Sequence, residues 1–185
     1  MKRALIVVDV QRDFCEGGAL AAADTVSLLE PLRAFIAAAR QAGVKIVLTQ
    51  DWHPPNHRSF REAGGDWPVH CVAGSRGAQL MPRLDSDALD LIVYKGETID
   101  GAGYSGFEST GLGERLGALG VREAAVCGVA TEYCVRATAI DAVKAGFRVA
   151  VLTDLIRPIQ FAAGESALGE MVALGIEGLE SKVWL

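Results

Sequence analysis

Asp9, Lys95 and Cys134 are the residues of this chain whose type and placement could break a bond. Asp9 lies in the apolar run Ala4–Val10, where a carboxylate costs free energy unless it is paired. Capping a loop or pairing with a nearby arginine would explain it without chemistry. Lys95 stands at the carboxyl end of Leu91–Tyr94, a position that a solvated lysine on an edge strand would also occupy. Cys134 closes the stretch from Val126 through Thr131-Glu132-Tyr133, which reads as a strand, a small-residue turn and a helix starting close to the thiol. At a helix N-terminus the dipole lowers a thiol's pKa and favours the thiolate. Unpaired backbone N–H groups there can hold an oxyanion. An inert buried thiol is the competing reading, and Cys127, in mid-strand, reads as core. If the apolar runs form a parallel sheet, the three residues meet on one rim as nucleophile, acid/base and electrostatic partner.

A second group lies in Asp51-Trp52-His53-Pro54 and at His70. One residue separates Asp51 from His53, so in an extended segment both side chains point the same way. His70 could complete a His/carboxylate site for one divalent ion, with positions left for water or ligand. Ordinary loop polar residues would show the same D-x-H pattern. His57 follows His53 by four, but Pro54 and Pro55 oppose the helix that would align them. Glu62 reads as solvated.

The elements that must position these groups follow from the pattern. The chain has 185 residues, 50% hydrophobic and 22% charged, which excludes disorder over most of its length. A net charge of -5 argues against nucleic acid or a membrane surface as partner. No stretch approaches the ~20 apolar residues of a membrane span, and the first apolar run meets Asp9 too soon for a secretory signal. A cytoplasmic location is therefore expected, with Cys15, Cys71, Cys127 and Cys134 reduced and no C-x-x-C pair among them.

Short β-branched runs recur at 4–10, 45–49, 91–94, 124–127, 149–153 and 176–179, separated by helical patterns at 24–41, 110–119, 134–145 and 162–174. Gly43 is placed to stop the first helix. The alternation predicts an α/β fold, a three-layer α/β/α sandwich on a parallel sheet. Residues 1–185 are expected to form one domain, broken by a proline-, glycine- and histidine-rich loop at about 51–87 that is long enough to be functional. Ligands of such sheets sit outside the carboxyl ends of the strands, where these residues fall.

The motifs resemble the nicotinamidases (pyrazinamidases/nicotinamidases) of the isochorismatase-like cysteine hydrolase superfamily. The matching pieces are V-D-V-Q-R-D-F (8–14), T-Q-D-W-H-P-P-N-H-R-S-F (49–60), W-P-V-H-C (67–71), Y-K-G (94–96), G-Y-S-G-F-E (103–108) and G-V-A-T-E-Y-C-V (128–135), in family order. Glu132 stands where the family usually carries Asp. The resemblance implies six parallel strands in isochorismatase-like, Rossmann-like topology. It implies hydrolysis of nicotinamide to nicotinate and ammonia through a cysteine thioester, feeding NAD salvage. Asp9, Lys95 and Cys134 would be catalytic, and the N–H groups of Ala130 and Cys134, with a cis peptide before Ala130, would form the oxyanion hole. One divalent ion, zinc foremost, with iron and manganese as options, would bind Asp51, His53 and His70. His57 falls where some members use a further ligand. Phe14, Trp67 and Tyr104 would wall the substrate ring, unless they serve only packing. A homo-oligomer is compatible with the sequence. The competing functions are another cysteine amidase acting on a different carboxamide or ureido substrate, and a non-catalytic metal- or ligand-binding protein.

Overall fold

The computed structural model describes residues 2–84 and 89–185. The last three residues of the loop expected at 51–87 therefore lie outside the described residues. Six strands form one sheet: β1 (Lys2–Val8), β2 (Lys45–Asp51), β3 (Leu91–Lys95), β4 (Val121–Val129), β5 (Arg148–Arg157) and β6 (Glu177–Leu179), in the order β3-β2-β1-β4-β5-β6 with every pairing parallel. Helices α1 (Thr25–Gln41), α2 (Leu112–Ala118), α3 (Arg136–Lys144), α4 (Phe161–Ala173) and α5 (Ser181–Trp184) cover its two faces. Among the described residues, no helix is long and apolar enough to cross a membrane.

Strand periodicity splits the core into two layers. Leu5 and Val7 of β1 point toward α1 residues Leu28, Leu32 and Ile36, together with Trp184 of α5. Ala4, Ile6 and Val8 point the other way, toward Leu116 of α2, Ala139 of α3 and Met171 of α4. Both faces being covered is why the strands read as continuous apolar runs instead of alternating ones. Gly43, at φ 76°, ends α1: its N–H donates to Arg40 O at 2.9 Å and that of Val44 to Ala39 O at 3.0 Å.

The expected boundaries shift at three places that matter to the site. β1 stops at Val8, so Asp9 lies just beyond it, with φ 50° and its N–H donated to Thr49 O at 3.2 Å. α2 starts at Leu112 rather than at Thr110, because Gly111 takes φ 67° and the Thr110 hydroxyl accepts from Leu112 N at 3.2 Å. α3 starts at Arg136, preceded by a π-helical turn, Thr131–Val135, that carries Cys134.

Running outward from β1, the chain goes first to β2 and β3 and then returns to lay β4 against β1. The crevice at that switch point lies beyond the carboxyl ends of β1 and β4. The segment after β2 folds back on itself through the bridges His53–Val72 and Phe60–Trp67. His53 N donates to Cys71 O at 3.0 Å and Ala73 N to His53 O at 2.8 Å, which returns His70 to the side of His53. Phe60 is fully buried beneath the rings of His53, His57 and His70, giving the loop a small core of its own.

Candidate active site

Lys95 is at the centre of the site. It ends the edge strand β3, yet it is only 2% exposed, so the edge-solvated reading of this residue is wrong. Its ammonium sits 2.8 Å from Asp9 Oδ2, against a carboxylate oxygen of Asp51, 2.5 Å from Gly103 O and 3.4 Å from Cys134 Sγ. Asp9 is held from its other side by the Thr49 hydroxyl, which donates to Oδ1 at 2.6 Å. Carboxylate oxygens of Asp9 and Asp51 and the Cys134 sulfur all lie within 4.8 Å of one another.

Burial sets the charge states. It pushes the Asp9 carboxyl up to about 6, because Lys95 only partly offsets the lost hydration and the neighbouring Asp51 adds repulsion. Burial pushes Asp51 the same way, but Lys95 and His53 outweigh it and hold that carboxyl below the usual range. Lys95 stays charged: burial opposes the cation, and Asp51, Asp9 and Cys134 together more than reverse that. The thiol corrects an expectation. Instead of a thiolate favoured by a helix N-terminus, burial pushes the Cys134 thiol well above its ordinary value. Lys95 pulls it down and the two aspartates push it up again. The dipole argument assumed an exposed first-turn residue, whereas Cys134 is buried in the fourth position of the π-helical turn. The resting group is a thiol with a proton acceptor beside it.

Around Cys134 the backbone departs from the α pattern. Ala130 O accepts from Tyr133 N at 3.1 Å and from Val135 N at 3.2 Å, passing over the Cys134 N–H between them. The Val129–Ala130 peptide is cis. π-helical turns of this kind recur at functional sites.

Asp51, His53 and His70 are all buried, with ligand-type atoms within 4.8 Å of one another. His53 Nε2 is 3.4 Å and His70 Nε2 3.9 Å from Asp51 Oδ2. Each imidazole donates its Nδ1–H to a main-chain carbonyl, His53 to Gly96 O at 3.0 Å and His70 to Pro68 O at 2.7 Å. That orients both rings and turns both Nε2 atoms toward the carboxylate, which is how metal-binding histidines are prepared. Two carboxylates and one ammonium also leave the cluster one negative charge in excess. The donor set therefore fits a divalent cation. His57 does not join it, because its Nε2–H donates to Gly101 O at 2.9 Å and its Nδ1 accepts from Ser59 Oγ at 2.7 Å. Its ring instead lies 4.1 Å from that of His53.

A cavity opens over these groups. Cys134, Asp51, His53 and His70 lie on its floor, with Phe14, Trp67, Tyr104 and Ala130 around it. Trp67 Nε1 donates to Tyr104 Oη at 3.0 Å, and both rings pack against Tyr133, at 5.0 and 6.0 Å. Sequence reasoning missed Leu20 and Ile159, which complete the apolar wall. It also missed Gln11, a fully buried amide that clamps the Asp51 backbone by donating to its O and accepting from its N, both at 2.8 Å. A buried polar side chain two residues from Asp9 would have been the signal, but burial is not written in the sequence.

Gly96 is tight as well as strained. At φ 67°, a Cβ there would overlap Cε1 of His53. Gly96→Ala is expected to destabilise the fold by about 1–3 kcal/mol, read by urea denaturation, since both overpacking and the left-handed backbone act against it. An unchanged midpoint would show that the His53 ring yields freely.

The chain is similar to known proteins over nearly its whole length. The family described as Isochorismatase domain matches residues 3–181. The nicotinamidase/pyrazinamidase of Mycobacterium tuberculosis is 42% identical over 183 residues, covering 95% of this chain and 97% of its own. A pyrazinamidase of Pyrococcus horikoshii, solved in complex with zinc, is 46% identical with a TM-score of 0.93 and covers 97% of this chain and 99% of its own. PnC1 of L. infantum, solved in complex with nicotinate, is 38% identical with a TM-score of 0.91 and covers 98% of this chain and 93% of its own.

Proposed function

The chain belongs to the isochorismatase domain family, and from that premise we propose that it is a nicotinamidase, hydrolysing nicotinamide to nicotinate and ammonia. The observation that carries this reading is a single apolar-walled cavity whose floor holds both the Cys134 thiol and the Asp51/His53/His70 donor set. The residues 51–84 then serve as the metal-holding segment of one hydrolase unit.

The chemistry needs a thiolate only while substrate is present. Asp9 takes the Cys134 proton, and Lys95 stabilises the thiolate that remains. The sulfur attacks the carboxamide carbon, and the N–H groups of Ala130 and Cys134 receive the developing oxyanion. Protonated Asp9 returns its proton to the departing nitrogen, so ammonia leaves and a thioester forms. Asp9 then takes a proton from water, whose oxygen displaces the sulfur, and returns that proton to the departing Cys134 thiolate; the product acid ionises to nicotinate. A divalent ion held by Asp51, His53 Nε2 and His70 Nε2 would supply Lewis acidity toward the ring nitrogen and an acidified water. Phe14, Trp67 and Tyr104 offer apolar faces for a flat ring.

Ammonia release from nicotinamide by purified protein should be lost on chelation and restored by adding back zinc, iron or manganese. No release from the metal-replete protein would move the substrate to another carboxamide or a ureido compound. Because Asp9 must be ionised to accept the proton and its pKa is raised to about 6, kcat/KM should be constant above that pH and fall about tenfold per unit below it. A profile that stays flat well below that point would remove Asp9 as the base.

A further inference from the structure

Glu132 sits in the same turn as the nucleophile but has no part in the steps above. Its carboxylate turns away from Cys134 and accepts from the chain between β5 and α4: Oε1 from Ile159 N at 3.0 Å and from Gln160 N at 2.9 Å, Oε2 from Ile159 N at 3.2 Å. Gln160 is the residue that caps α4, and its own side chain makes no capping bond. Charge-assisted bonds from a carboxylate to backbone N–H groups are roughly twice as strong as neutral ones. The same short connection is pinned from the far side. Pro158 O accepts from Ala23 N at 2.7 Å, and a Cβ at Gly164 would come within 2.6 Å of the Pro158 ring.

The side chain of Ile159 lines the substrate cavity, and so does Leu20, three residues before the Ala23 contact. We propose that Glu132 is a positioning residue that fixes Ile159 at a set distance from Cys134 and thereby makes the cavity selective for single-ring carboxamides. The argument is one of linkage between walls. Cys134 and Glu132 ride on one rigid turn, so a carboxylate bonded to the Ile159 and Gln160 amides transfers the position of the nucleophile directly to the apolar wall opposite it. Without it, the Ile159 amide has no other acceptor on this turn, and the wall is free to retreat. Shortening Glu to Asp withdraws the oxygens by about one bond length, roughly 1.5 Å, more than these hydrogen bonds tolerate.

This inference rests on the nicotinamidase reading for its substrates, but not for its structural readout. In Glu132→Ala, KM for nicotinamide should rise about tenfold with kcat within about threefold, and the ratio of kcat/KM for the two-ring quinoline-3-carboxamide to that for nicotinamide should rise about tenfold, the size of effect a lost wall contact produces. Glu132→Gln keeps a neutral acceptor and should restore both values to within about threefold of the parent. The Ile159 δ1-methyl resonance should shift in Glu132→Ala and return in Glu132→Gln. Equal losses of kcat and kcat/KM, an unchanged substrate ratio, or an unmoved Ile159 methyl would overturn the proposal. Should Glu132→Ala not fold, Ile159→Ala must reproduce the change in substrate ratio, and its failure to do so overturns the proposal equally. If the parent protein releases no ammonia from nicotinamide, the activity reading falls, and the methyl shift alone decides the role of Glu132.

Discussion

Cys134→Ala is expected to lower ammonia release by at least about 10⁴-fold while leaving the bound metal and the unfolding midpoint close to those of the parent. No other thiol can take its place. Burial pushes Cys15 up to about 11 and raises Cys71 and Cys127 further. Neither Cys15 nor Cys127 borders the cavity, and Cys71 has its backbone turned to Asp13, whose Oδ2 accepts the Cys71 N–H at 2.8 Å. Only Cys134 combines a place on the cavity floor with a cation 3.4 Å away and a carboxylate to take its proton. The substitution removes one sulfur that is not among the Asp51, His53 and His70 donors, so metal content separates loss of the nucleophile from loss of the site. Turnover in Cys134→Ala above about 1% of the parent's would remove the thioester route altogether.

The strands and their parallel arrangement were legible because both faces of the sheet are covered, which leaves long apolar runs that cannot be mistaken for surface. Asp9 and Lys95 stood out for the opposite reason, as charged residues within or at the end of such a run, and Cys134 as a thiol following a strand and a small-residue turn. Their partners were not legible. Thr49 and Gly103 act on Asp9 and Lys95 from other parts of the chain, one through a hydroxyl and the other through a carbonyl that every residue possesses. The state of the Cys134 thiol was misjudged from the local pattern, since a helix terminus is visible in sequence and the depth at which it is buried is not. Leu20 and Ile159 carry no chemical mark at all, and only the fold puts them against the cavity. His70 lay 17 positions from His53, and it was a backbone bridge, His53 to Val72, that brought it back.

Lys95→Met is expected to be the most destabilising single change at the site, by about 3–5 kcal/mol, on the order of 10 °C in melting temperature for a chain of this size. Methionine keeps nearly the length of the side chain, so the loss is one of charge and not of volume. It leaves Asp9, wholly buried, without the cation that balances its charge, and it leaves Asp51 facing Asp9 with no ammonium between them. Turnover should disappear too, because a thiolate at Cys134 would then form beside two carboxylates with no cation to balance it. The double variant Lys95→Met/Asp9→Asn separates charge from packing. It removes the orphaned carboxylate, and should recover a large part of the lost stability while remaining inactive, since an amide cannot accept the thiol proton. Non-additivity of this kind is expected of groups in direct contact. Equal melting temperatures for the parent and Lys95→Met would mean that the buried ammonium does not hold the two aspartates in place, and a double variant no more stable than the single one would assign the loss to packing instead.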